Sequence, residues 1–98
     1  MITLSEAIGI LARHRQELRE VHHVREIWIF GSFARGDQTP LSDIDIMVSF
    51  DQPVGWEIVD LQQYLEELLG IRVDLVTKRA VQAKPMLWQA VEKELISV

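Results

Sequence analysis

Apolar residues recur along this chain at two spacings, and the alternation between them lays out the elements. From Thr3 the spacing is helical: Leu4, Ile8, Leu11, Arg15 and Leu18 fall on one stripe with polar residues between. The leading Thr3-Leu4-Ser5-Glu6 has the T-x-x-E form of a capping box, in which the Thr3 hydroxyl takes an orphan amide and Glu6 reaches back. Ile27, Trp28, Ile29 and Phe30 make a short β-rich run over Arg25–Phe30 that stops at Gly31. Turn residues, Gly31-Ser32 and Gly36-Asp37-Gln38-Thr39-Pro40, flank Phe33-Ala34-Arg35. The clearest strand is Ile44–Phe50, with Ile44, Ile46, Val48 and Phe50 on one face and Asp43, Asp45, Met47 and Ser49 on the other. Asp51-Gln52-Pro53 ends it. Trp56, Val59, Leu61, Tyr64, Leu65 and Leu68 then return to helical spacing and stop at Gly70, a C-terminal cap. Ile71–Thr77 predicts a third strand, with Ile71, Val73 and Leu75 opposing Arg72, Asp74 and Val76, and Pro85 opens a last helix carrying Leu87, Val91 and Leu95. The order α-β-turn-β-α-β-α predicts an α/β protein, one small sheet covered by helices.

Composition narrows the class. A chain of 98 residues holds one small domain, 1–98, and little room for a second core. Apolar residues at 48% and charged residues at 26% fit a globular protein rather than a disordered one. No apolar run approaches the roughly 18 residues of a membrane span, and the N-terminus lacks a signal-peptide pattern. Without cysteine there is neither a disulfide framework nor thiolate metal ligation, and a cytoplasmic address is the expectation. The net charge of −5 is the reverse of what gripping nucleic-acid phosphates requires. Arg13, Arg15, Arg19, Arg25 and Arg35 lean toward the N-terminal third, but Glu17, Glu20 and Glu26 dilute any patch into a solvated helix face. Direct DNA binding is therefore not expected, whereas cationic partners or a metal ion held by carboxylates are.

Two acids stand out against the apolar run of the second strand, Asp43 and Asp45. Side chains two apart on a strand point the same way, so these carboxylates stand side by side, and like charges that close repel unless a cation sits between them. Hard oxygen ligands suit Mg²⁺ or Mn²⁺, which bind through a few carboxylates and substrate phosphate oxygens. Asp74, on the polar face of its own strand, joins them if that strand lies beside Ile44–Phe50. Gly31-Ser32 lets a phosphate approach the backbone and donates to its oxygens, and Arg35 neutralises charge on the same polyphosphate. Together these parts describe phosphoryl or nucleotidyl transfer.

Joined in order, G-S-F-A-R-G, five residues, S-D-I-D-I and a late V-D-L resemble the nucleotidyltransferase superfamily of DNA polymerase β. The match is best to the minimal nucleotidyltransferases, small prokaryotic proteins usually paired with a HEPN-domain partner. It runs from about Ile27 to Thr77 and on through Lys84-Pro85 to Val98, which resembles the family's closing helix and strand-like end. The resemblance implies the nucleotidyltransferase fold, a small mixed β-sheet flanked by helices (α+β). It implies that Gly31 and Ser32 hold the phosphates of ATP, that Asp43 and Asp45 bind two Mg²⁺ ions, and that Asp74 completes one metal site and favours deprotonation of the acceptor hydroxyl. Arg35 matches the motif Arg, with a structural or a phosphate-contacting role. The implied reaction is in-line attack of a hydroxyl on the α-phosphorus of ATP, releasing pyrophosphate. The implied acceptor is a tyrosine of a HEPN ribonuclease toxin, which would make this chain an antitoxin of the type VII kind. Larger nucleotidyltransferases carry a helical acceptor domain that this chain has no residues for, so acceptor recognition falls to a partner or to self-association.

Two other classes compete. As a binding module the protein would neutralise a toxin by covering it, with the acids as a relic or a nucleotide site without turnover. Transfer to a small molecule such as an aminoglycoside suffers from the missing acceptor domain. Elsewhere the plain readings prevail. Trp28, Trp56 and Trp88 fall in periodic apolar segments and predict packing in the core or at an interface, His22-His23 predicts a surface pair before a strand, and Lys78-Arg79 predicts a solvated strand end.

Overall fold

The computed structural model describes residues 2–98. It begins with the predicted capping box: Thr3 Oγ1 accepts from the Glu6 amide at 3.1 Å, and Glu6 Oε1 accepts from the Thr3 amide at 3.1 Å. These bonds start α1 (Leu4–Arg13). The stripe does not continue as one helix. His14 Nδ1 lies 2.9 Å from the Ile10 carbonyl, and the His14 amide is shared between the Ile10 and Leu11 carbonyls. A side chain that takes one of the helix's own carbonyls competes with the ladder, and α2 (Arg15–Glu20) restarts beyond it.

The sheet is built from β1 (Val24–Phe30), β2 (Ile44–Phe50), β3 (Val73–Thr77) and β4 (Ile96–Ser97), in the spatial order β3-β2-β1-β4. β1 is antiparallel to β2 and to β4, whereas β2 and β3 run parallel, so the sheet is mixed as the resemblance implied. A one-turn helix, α3 (Ser32–Arg35), links β1 to the loop before β2, and α4 (Glu57–Leu69) makes the crossover from β2 to β3. After β3 come α5 (Lys78–Gln82) and α6 (Pro85–Glu92). The sequence pattern does not anticipate α5; Thr77 caps it, its Oγ1 accepting from the Ala80 amide at 3.1 Å.

The two sheet faces have unequal cores. On one, Ile27, Ile29, Ile44, Ile46, Val48 and Val73 pack against Ala7, Leu11, Leu18, Leu61, Leu65 and Leu69 of the first two helices and α4. The predicted alternation of β2 holds, since Ile44, Ile46 and Val48 are fully buried. On the other face a smaller core joins Met47, Val81 and Val91, with Trp28, Phe30, Val76, Trp88 and Leu95 packed around them. Two of the three tryptophans pack as predicted. Trp56 is outside the core: it precedes α4 and is 89% exposed, because the buried stripe of that helix runs through Leu61, Leu65 and Leu69. His22 and His23 lie before β1 as expected, His22 against the Tyr64 ring with centroids 4.6 Å apart.

Phe33, in the middle of α3, is fully buried in the larger core and anchors the turn that follows β1. Phe33→Ala is expected to cost about 3–5 kcal/mol in urea unfolding, as for other large-to-small core changes.

Candidate active site

The β2–β3 register decides what the acids can do. Asp45 is the direct partner of Asp74, flanked by Ile44 opposite Val73 and Ile46 opposite Leu75. On its other side Asp45 pairs with Phe30, the last residue of β1. The row Phe30–Asp45–Asp74 thus crosses the sheet next to the row Trp28–Met47–Val76, which α5 and α6 cover. Asp45 is half-buried and Asp74 exposed. Burial, a hydrogen bond to Asp74, and the charges of Asp74 and Asp43 push the Asp45 carboxyl up to about 6, while the Arg35 guanidinium pulls the other way.

Asp43 lies just before β2 and is exposed. It shares with Asp74 an open groove of about 1040 Å³ that runs along α4 and the start of β3, with Gln62, Glu66 and Arg72 among its lining. The structure therefore joins Asp45 to Asp74 by register and Asp43 to Asp74 by the groove. Among the described residues no three His, Asp or Glu side chains stand close enough to hold a metal ion between them alone.

Gly31 follows Phe30 and has φ +74, a conformation that side-chain-bearing residues rarely adopt. A Cβ there would overlap Asp45 Oδ2 and stand 2.9 Å from its Cγ. The glycine therefore lets the turn backbone lie directly on the acidic pair. Ser32 opens α3, and the Arg35 amide donates to the Gly31 carbonyl at 3.0 Å, which closes the turn. The Arg35 side chain returns over it: Nε donates to Asp37 Oδ2 at 3.2 Å and Nη1 donates to Glu94 Oε1 at 2.8 Å. These bonds, that to Glu94 foremost, hold the guanidinium pKa above its ordinary value.

Pattern reading finds neither Asp37 nor Glu94. The first reads as one turn residue of Gly36-Asp37-Gln38-Thr39-Pro40, and the second depends on a pairing of the C-terminus with β1 that local periodicity does not show. Lys78 and Arg79 serve other places. Lys78 Nζ stands 5.0 Å from the centroid of the Trp28 ring, and Arg79 lines a cleft with Ser49, Phe50 and Pro53 at the far end of β2.

The family model of the nucleotidyltransferase domain matches residues 11–98. The protein adenylyltransferase MntA of Thermococcus cleftensis is 48% identical over 84 residues, covering 85% of each chain. The chain belongs to the minimal nucleotidyltransferase family. Two solved toxin–antitoxin complexes carry similar folds. One, with AMP-PNP, matches with a TM-score of 0.68 at 28% identity, covering 98% of this chain and 72% of that one. The other is the tri-AMPylated Shewanella oneidensis HEPN toxin with its MNT antitoxin, which matches with a TM-score of 0.65 at 26% identity, covering 93% and 70%.

The acidic site of this nucleotidyltransferase suits a hard divalent cation. Burial first, and then the nearness of Asp74 and Asp43, raise the Asp45 carboxyl pKa, and a cation would relieve the repulsion between these acids. A small number of carboxylates also suits Mg²⁺, which takes its remaining ligands from water and substrate phosphate.

One consequence is measurable without substrate. The folded pKa of Asp45 lies above its ordinary 3.8, so its ionisation opposes folding above about pH 6 and the penalty fades as pH falls toward 4. In buffer free of divalent cations, Asp45→Asn is expected to stabilise the protein at pH 7.5, its amide donating to Asp74, by roughly 1 kcal/mol after allowance for solvent screening. The gain in melting temperature over wild type should shrink as pH is lowered toward 5.

Proposed function

We propose that this protein is a protein adenylyltransferase that transfers AMP from ATP to a hydroxyl of a HEPN-domain toxin, and so acts as its antitoxin in the cytoplasm. The observation that carries the reading is the Asp45–Asp74 pair, set opposite each other by register and lying under the Gly31 turn. Its relatives' names support the reaction and the partner: a protein adenylyltransferase, and an MNT antitoxin bound to an AMPylated HEPN toxin. The complex with AMP-PNP supports ATP as the donor.

In this reading Gly31, Ser32 and Arg35 receive the triphosphate, and Asp43, Asp45 and Asp74 hold Mg²⁺, or Mn²⁺ in its place. The bound cations would supply charge neutralisation at the attacking and leaving oxygens. The protein's own work is placement. Gly31 brings the phosphates onto the acids, Arg35 offsets charge on them, and the exposed Asp74 takes the proton of the incoming hydroxyl. The acceptor oxygen, a tyrosine hydroxyl in this reading, bonds to the α-phosphorus as the bond to the bridging oxygen breaks and pyrophosphate departs. The groove shared by Asp43 and Asp74 gives the acceptor segment an approach from the α4 side.

The test is the double variant Asp43→Asn with Asp45→Asn. It should fold with a melting temperature at or above that of wild type, and its partner, co-expressed and weighed by mass spectrometry, should gain no AMP where wild type adds one or more. Wild type should neutralise the toxin at substoichiometric levels and only with ATP and Mg²⁺. Full neutralisation by the double variant at equal stoichiometry would favour the binding-module reading instead.

A further inference from the structure

One charged side chain reaches the glycine turn from the far end of the chain. The β1–β4 register sets Ile96 opposite Ile29. Two residues before the one and two after the other, Glu94 comes level with Gly31, where β1 has already ended. The Glu94 side chain supplies the acceptor that a strand would: Oε2 accepts from the Gly31 amide at 3.1 Å. Its second oxygen, Oε1, accepts from Arg35 Nη1 at 2.8 Å. Asp37 takes Nε on the opposite edge of the guanidinium at 3.2 Å, and neither carboxylate takes Nη2.

Stability is a weak reason for this clamp. The Arg35 side chain is 48% exposed, and ion pairs in water contribute little. Orientation is a stronger one. A guanidinium is a rigid fork, and fixing two of its nitrogens fixes where the third points. A long side chain already held also loses less rotamer freedom when a ligand arrives. Arg35 stands close enough to the acidic pair for its charge to act on Asp45.

We propose that Glu94 is a positioning residue for the nucleotide's phosphates: its single carboxylate sets both the Gly31 turn and the Arg35 guanidinium, leaving Nη2 free for a phosphate oxygen. This rests on the reading of Gly31, Ser32 and Arg35 as the phosphate cradle. The opposite role, a carboxylate that occupies the phosphate's place and must leave, predicts the opposite sign.

The experiment is equilibrium binding of mant-ATP with Mg²⁺, and of mant-adenosine, to the full chain. Glu94→Ala should weaken mant-ATP about tenfold and leave mant-adenosine within about twofold, as expected when a charge-assisted contact to phosphate alone is lost. Glu94→Gln, which keeps an amide oxygen but not the charge, should fall between. In an Arg35→Ala background, Glu94→Ala should cost less than it does alone. Tighter mant-ATP binding by Glu94→Ala would overturn the proposal in favour of occlusion. Equal weakening of both ligands, or wild-type affinity in both Glu94 variants while Arg35→Ala is weakened, would overturn it in favour of a purely structural role. Wild-type mant-ATP affinity in Arg35→Ala would remove the cradle reading itself, and the proposal with it.

Discussion

Two carboxylates set opposite each other on neighbouring strands repel, yet the β2–β3 ladder holds Asp45 against Asp74. The reason lies on the other face of the same strands. Ile44, Ile46 and Val48 are fully buried and Val73 nearly so. A slip of one residue would carry all of them to the wrong side and bring the acids into the core. Each such side chain contributes about 1.5–3 kcal/mol by burial, so the set outweighs the repulsion of one half-solvated pair. The hydrophobic register is thus the cause, and the acidic pair is its consequence.

The neighbouring elements tune what that pair experiences. α5 and α6 cover the row Trp28–Met47–Val76 and stop there, so the acidic row lies where a dry core meets solvent. On the free edge of the sheet, α4 fixes the residue just before Asp74: Gln62 Nε2 donates to the Val73 carbonyl at 2.9 Å, and Glu66 Oε2 accepts from the Val73 amide at 2.9 Å. These bonds satisfy an edge strand that would otherwise offer bare backbone groups, and they hold Asp74 rigidly beside Asp45. Above both lies Gly31, the one residue type whose backbone approaches this closely.

What was legible in the sequence follows the range of the interaction responsible. β2 is found over Ile44–Phe50 because a period-two pattern is local and strong, and the capping box of α1 because Thr3 and Glu6 are three residues apart. The break at His14 was hidden because Arg15 and Leu18 keep the helical period while the cause is one imidazole bonding back to Ile10. Trp56 matched a helical stripe by spacing, but it lies one residue outside α4 and faces water. Within the candidate site, Asp45 and Asp74 stand out because acids on apolar strands are conspicuous, and Asp43 because it lies two positions from Asp45. Glu94 does not, because one Glu in a polar stretch gains meaning only when β4 pairs with β1, across more than sixty residues.

The finished site also carries a charge problem that its own residues do not solve. Asp43, Asp45 and Asp74 gather at one end of β2 and β3, and the Arg35 guanidinium whose charge reaches Asp45 is already claimed by Asp37 and Glu94. A triphosphate entering such a field meets net negative charge. No rearrangement among these side chains reverses that sign. Under the proposed function, then, cation and nucleotide must each strengthen the binding of the other, because linkage between two ligands is reciprocal. Each relieves the same repulsion, and the hydrophobic register of β2 and β3 fixes how large that repulsion is.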